Sequence, residues 1–110
     1  MDEKQDKKIR TRYPYSTYVN HMIRFYLSTP ETLQMSGKRQ ADVDNWIAVQ
    51  TVWHKLGEDE RKKLEYIYRA HYKLAEGIRM YCRKTGADSL ETWAMVTKVC
   101  ARIARIRGLV

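Results

Sequence analysis

At 110 residues the chain has room for one compact domain built on one core. Its 44% hydrophobic content, with three Trp, eight Tyr and five Met, excludes a chain that is disordered throughout. Twenty-one Lys and Arg against 13 Asp and Glu leave a net charge of +8, a field that favours nucleic acid or another acidic surface and also aids solubility.

The opening residues 1 to 12 alternate Lys, Asp, Glu and Gln with only Ile9 to bury, so they cannot offset the entropy of being ordered alone. Residues 1–13 are therefore expected to form a flexible charged arm, followed by a single helical domain over 14–110. The charged start is unlike a secretory leader, and no window approaches the roughly 18–20 apolar residues of a membrane span. Cys82 and Cys100 lack paired-cysteine spacing, so the expectation is reduced thiols, a cytoplasmic location and no membrane partner.

After Pro14, the positions Tyr15, Tyr18, Val19, Met22, Ile23 and Tyr26 keep the spacing of one buried helical face and predict a helix from about Ser16 to Ser28. Thr29-Pro30-Glu31 is a restart signal: Thr caps, Pro tolerates the first helical position and Glu suits the positive helix end. A short second helix is expected to finish near Gly37. Val43, Trp46, Ile47, Val49, Trp53 and Leu56 mark a third, which Gly57 can close.

Glu58-Asp59-Glu60 places three carboxylates in the first turn of a fourth helix, whose inner stripe is Leu64, Ile67, Tyr68 and His71. Glu58 to Lys62 and Glu65 to Arg69 have helical ion-pair spacing. A fifth helix is expected from Leu74 to Arg83, although nothing near Tyr72 clearly breaks the chain, so one helix over 58–84 stays open. Gly77 lies inside this stretch. Thr85-Gly86-Ala87 makes the next turn, and Asp88 with Glu91 three residues on has the spacing of a capping box for the last helix.

That last helix carries most of the unopposed charge. The nineteen residues after Glu91 hold four basic side chains and no acidic one. At about 100° per residue, Lys98, Arg102 and Arg105 fall in one narrow sector, with Trp93, Val96, Cys100 and Ile103 roughly opposite. Arg107 projects toward the apolar side, which suits a terminal or capping role. All three tryptophans are expected in the core, and Tyr66, Tyr68, Tyr72 and Tyr81 at the core or its edge rather than stacked on bases.

Catalytic and cofactor chemistry finds no local setting. There is no nucleophile elbow, the five glycines are dispersed rather than gathered into a phosphate loop, and Asp42 and Asp44 begin a calcium loop that Trp46 and a missing glycine spoil. His21, His54 and His71 sit on separate helices without metal-ligand pairing. The expectation is a protein that is not an enzyme and takes no cofactor or metal.

The fold expected is all-α, a compact bundle of five to six helices ending in a helix-turn-helix-like unit over residues 74–107. In such a unit the start of the final helix, with Ser89, Glu91, Thr92 and Met95, would meet base edges, while Lys98, Arg102 and Arg105 would meet phosphates. Arg83 and Lys84, before the turn, would hold the backbone on the other side. The bland alternative is that these cations form a solvated face near a helix C-terminus, where positive charge is favoured anyway.

The segment Leu56-Gly57-Glu58-Asp59-Glu60-Arg61-Lys62-Lys63-Leu64, followed by Tyr68, resembles the fourth region of sigma-70 factors and similar helices in small phage and mobile-element regulators of the ArpU and RinA kind. The ending from Ala101 to Leu109 is similar to the close of such a module, so the resemblance covers roughly residues 50–110. It departs at the turn, where Thr85 and Ala87 are poor apolar flanks, and at Glu91, which would lie beside the DNA. The resemblance implies promoter DNA recognition, and contact with RNA polymerase. The expected function is accordingly a noncatalytic DNA-binding transcriptional regulator acting on double-stranded DNA through Arg83, Lys84, Ser89, Thr92, Lys98, Arg102 and Arg105. The alternative is a small phage or mobile-element protein that binds a host protein, such as polymerase or a defence nuclease; homodimerisation would serve either.

Overall fold

A computed structural model describes residues 14–29 and 39–110, and these form five helices with no strand among them: α1 (Pro14–Ser28), α2 (Gln40–Trp53), α3 (Glu58–Ala70), α4 (Leu74–Thr85) and α5 (Ser89–Arg107). This is the expected all-α bundle. The arm over 1–13 and the short helix expected from Thr29 to Gly37 lie outside the described residues, apart from Thr29, whose amide donates to the Tyr26 carbonyl at 3.3 Å as α1 ends.

One core joins all five helices. Val19, Met22 and Ile23 of α1, Val49 and Val52 of α2, Leu64 and Ile67 of α3, Ile78 of α4, and Val96 and Ile103 of α5 are essentially sealed from solvent. Removing that apolar surface from water is the dominant favourable term in such a bundle. Helix α5 packs on α2, α1 and α4, while α3 and α4 form a tight hairpin that also meets α1 and α5.

Local signals start and stop these helices. The Gly57 amide donates to the Glu60 carboxylate at 3.1 Å, and Glu58, Asp59 and Glu60 occupy the first turn of α3, where the helix dipole favours them. Both expected ion pairs form, Lys62 with Glu58 at 3.3 Å and Arg69 with Glu65 at 3.7 Å. They lie in the open, where such pairs contribute only tenths of a kcal/mol.

The chain does not run as one helix from 58 to 84. It breaks at His71 and Lys73, both with extended backbone, and the Lys73 amide donates to His71 Nδ1 at 2.9 Å. Arg24 of α1 donates to the His71 carbonyl at 3.3 Å and lies over the Tyr68 ring, tying the break to α1. His71 is thus a half-buried joint, not part of the inner stripe of α3.

Gly77 explains why the turn can be so short. A Cβ at this position would stand 2.2 Å from the carbonyl oxygen of Ile67, so α4 crosses α3 backbone against backbone and only glycine fits. The glycine that weakens α4 as an isolated helix is what lets it pack. Gly77→Ala is expected to destabilise the protein by about 3 kcal/mol or more, at the upper end of overpacking effects, as read from urea denaturation. An unchanged midpoint would contradict this crossing.

Candidate nucleic-acid interface

The turn between α4 and α5 is closed by its own polar groups. Gly86 adopts the left-handed conformation, φ 77°, and its amide donates to the Cys82 carbonyl at 2.8 Å, ending α4. The Thr85 hydroxyl donates to the Tyr81 carbonyl at 2.8 Å and accepts from the Ala87 amide at 3.2 Å. Thr85, a poor apolar flank by sequence, therefore serves the turn by hydrogen bonding, and Ala87 packs against the core as a flank should.

Asp88 caps α5 by accepting from the Glu91 amide at 2.9 Å, and Gly108, φ 83°, closes it. The buried face of α5 is Thr92, Val96, Val99, Cys100, Ile103 and Ala104. Arg107 donates to Asn45 Oδ1 at 2.6 Å, and Asn45 in turn donates to the Tyr18 hydroxyl at 2.9 Å, so the end of α5 is fastened to α2 and α1. This is the terminal role its position on the wheel assigned.

Lys98 and Arg105 are exposed and Arg102 is half-buried, and among the described residues no carboxylate pairs with any of the three. Ser89 and Arg83 are exposed as well. Lys84 is exposed too, but its ammonium sits 4.9 Å from the centre of the Tyr66 ring on α3. That cation is held by a neighbouring helix instead of standing free beside the turn.

Tyr72, expected at the core or its edge, is 75% exposed in the joint before α4, and two residues of α5 are also not where the sequence put them. Thr92 is only 5% exposed; its hydroxyl donates to the Asp88 carbonyl at 2.7 Å and accepts from the Cys82 thiol at 3.6 Å, so it cannot reach a base edge. Trp93, expected in the core, is 38% exposed. Packing on α2, α1 and α4 together decides which arc of α5 faces inward, with Thr92 turned toward α4 and Trp93 left on the rim. Leu90, 80% exposed, stands one turn earlier than Trp93 on nearly the same side.

Sequence reasoning missed this apolar strip. Trp93 lines a cavity with Leu74 of α4. Uncharged Leu90, Trp93, Ala94 and Thr97 lie beside the Lys98 and Arg105 sector on the helix. The signal was present as an uncharged i, i+3, i+4, i+7 series, but a wheel cannot separate an exposed strip from a buried one.

Beneath the same cavity lies a polar cluster that ties α1, α3 and α5. The Tyr68 hydroxyl donates to Asn20 Oδ1 at 2.7 Å and lies 3.4 Å from the Cys100 thiol. Burial raises the pKa of the Tyr68 phenol well above its ordinary value, with the neighbouring thiol adding to the shift, and burial likewise raises Cys100. A raised thiol pKa means little thiolate at neutral pH, which argues against a nucleophilic cysteine here. Among the described residues, no group of three or more His, Cys, Asp or Glu side chains comes together that could hold a metal ion, and no helix is long and apolar enough to cross a membrane.

No protein-family profile matches this chain, and comparisons with curated proteins and with solved structures find none that matches.

The pKa shifts predict an alkaline limb in stability. Both groups stay protonated in the fold at pH values where the unfolded chain already ionises. Their contribution is complete below the ordinary thiol range, about pH 8.5, and is lost as pH climbs from there through the phenol range and beyond. Urea midpoints measured from pH 7 to pH 11 should fall across this window, and in Cys100→Ala the fall should begin nearer the phenol range, about pH 10. A flat profile in the parent protein would contradict the assignment.

Proposed function

We propose that this protein is a noncatalytic regulator that binds double-stranded DNA through α5, with Lys98 and Arg105, and to a lesser degree Arg102, neutralising phosphates. What supports this is an open cationic sector on a helix whose opposite face is anchored in the core, so charge is presented at fixed geometry. Ser89 at the start of α5 is available to bases, and Arg83 to backbone. Thr92 is withdrawn from the set because it is buried, and Lys84 contributes only by leaving the Tyr66 ring. The resemblance to sigma-70 region 4 and to ArpU and RinA regulators belongs to this proposal, as do the phage or mobile-element setting and transcriptional control.

The exposed strip favours a second reading, in which α5 meets a host protein such as RNA polymerase or a defence nuclease. Leu90 and Trp93 offer an apolar contact beside the exposed Lys98 and Arg105, which suits a partner that is acidic on that side. The two readings use adjacent arcs of one helix and separate cleanly by mutation.

Selection from fragmented genomic DNA followed by sequencing tests duplex binding and returns the preferred site together. Replacing Lys98, Arg102 and Arg105 with Gln should then weaken binding and flatten the dependence of log affinity on log salt by about 2 to 3, close to 0.9 per phosphate lost. An unchanged affinity and slope in a folded triple variant would remove this surface from consideration. For the second reading, Leu90→Ala with Trp93→Ala should abolish capture of one stoichiometric host protein from nuclease-treated lysate, while the triple variant alters its salt dependence only.

A further inference from the structure

We propose that the cavity between the first half of α1, the start of α4 and the middle of α5 binds a small, flat, uncharged aromatic molecule bearing a carbonyl oxygen. Its volume is about 450 Å³, within the range of roughly 300–1,000 Å³ usual for small-molecule pockets. None of the described residues that line it is charged, and Lys98, Arg102 and Arg105 are not among them. The site therefore stands apart from the cationic face.

Its apolar wall is formed by Tyr15 of α1, Leu74 of α4, and Trp93 and Val96 of α5. Val96 is 1% exposed and Trp93 38%, so the wall runs from the core to the surface and a ring can enter along it. A flat ring laid there takes its own apolar surface and that of the wall out of water. An ionised ligand would lose its hydration with no opposite charge in the lining to replace it.

One polar group fixes the ligand's chemistry. Asn20 lines the cavity, and its amide oxygen is already engaged, accepting from the Tyr68 hydroxyl at 2.7 Å and from the Cys100 thiol at 3.8 Å. Those contacts set which way the amide faces. Its NH2 end makes no hydrogen bond with a described residue, and it is not sealed, since the sealed unpartnered side-chain donors among the described residues belong to Arg24, Trp46 and Arg61. An accessible amide NH2 can only donate, so it selects a ligand that accepts. The cavity of about 520 Å³ lined by Tyr26, Trp46, Trp53 and Arg61 lacks this feature, because its unpartnered Trp46 indole and Arg61 Nε are closed to a visitor.

The test uses the full chain labelled with nitrogen-15, in which the Asn20 side-chain amide and the three tryptophan indoles each give a signal. Indanone should shift the Asn20 amide and the Trp93 indole saturably, leaving Trp46 and Trp53 unmoved. Indane, the same skeleton without the oxygen, should bind about fivefold more weakly, the usual effect of one neutral hydrogen bond, and indane carboxylate more weakly still. Asn20→Asp keeps an oxygen for the Tyr68 hydroxyl but replaces the NH2 with an acceptor, and should erase the preference for indanone over indane. Trp93→Ala, on the rim, should weaken both ligands and serves if the Asp variant does not fold. The proposal is overturned if the Asn20 amide does not respond, if Trp46 or Trp53 responds as strongly as Trp93, if indane or the carboxylate matches indanone, or if a folded variant binds both ligands as the parent does.

Discussion

The contact on which this bundle turns is the approach of α4 to the backbone of α3 at Gly77. With no side chain between them, the two helices fold back on each other across a three-residue joint, and Ile78 and Tyr81 are carried into the common core. That placement supplies one of the three helices on which α5 packs. With α4 in that place, α5 seats Thr92, Val96 and Val99 against α4, α1 and α2 together, and its exposed residues follow from that combined packing.

Each end of α5 is held separately. Asp88 and the Thr85 hydroxyl organise the entry, and Arg107, Asn45 and Tyr18 fasten the exit to α2 and α1. A helix held at both ends keeps the spacing between its surface charges, which is what a rigid polyanion requires of a reader and a flexible tail cannot offer. The same rigidity suits a protein partner, so the fold limits how α5 can act without choosing what it acts on. The apolar strip of Leu90 and Trp93 and the cations beside it are two faces of one mounting.

The Tyr68, Asn20 and Cys100 cluster and the cavity walled by Trp46 and Trp53 both involve α1 and differ in chemistry. In the first, the Tyr68 hydroxyl, Asn20 Oδ1 and the Cys100 thiol have partners within the chain, and burial holds the phenol and thiol in their neutral forms. In the second, the buried Trp46 indole N–H and Arg61 Nε have no hydrogen-bond partner. Satisfied polar groups tie helices together, whereas unsatisfied ones mark where the interior is incomplete.

Much of the helical plan was determined by sequence alone, because its causes are local. The run of carboxylates at Glu58, the cap at Asp88, the glycines at 86 and 108 and the apolar spacing of α1 act within a turn or two of chain. The outward placement of Lys98 and Arg105 and the inward turn of Arg107 follow from the same periodicity. What tertiary structure decided are matters of contact between helices: the break at His71, the burial of Thr92, the exposure of Trp93 and Leu90, and the capture of Lys84 by Tyr66. A helical wheel records which residues share a side, but only packing against the other helices, α2, α1 and α4 for α5, selects the side that faces the core. The aromatic cavity was illegible for the same reason, since Tyr26, Trp46 and Arg61 are distant in sequence and meet only when three helices pack.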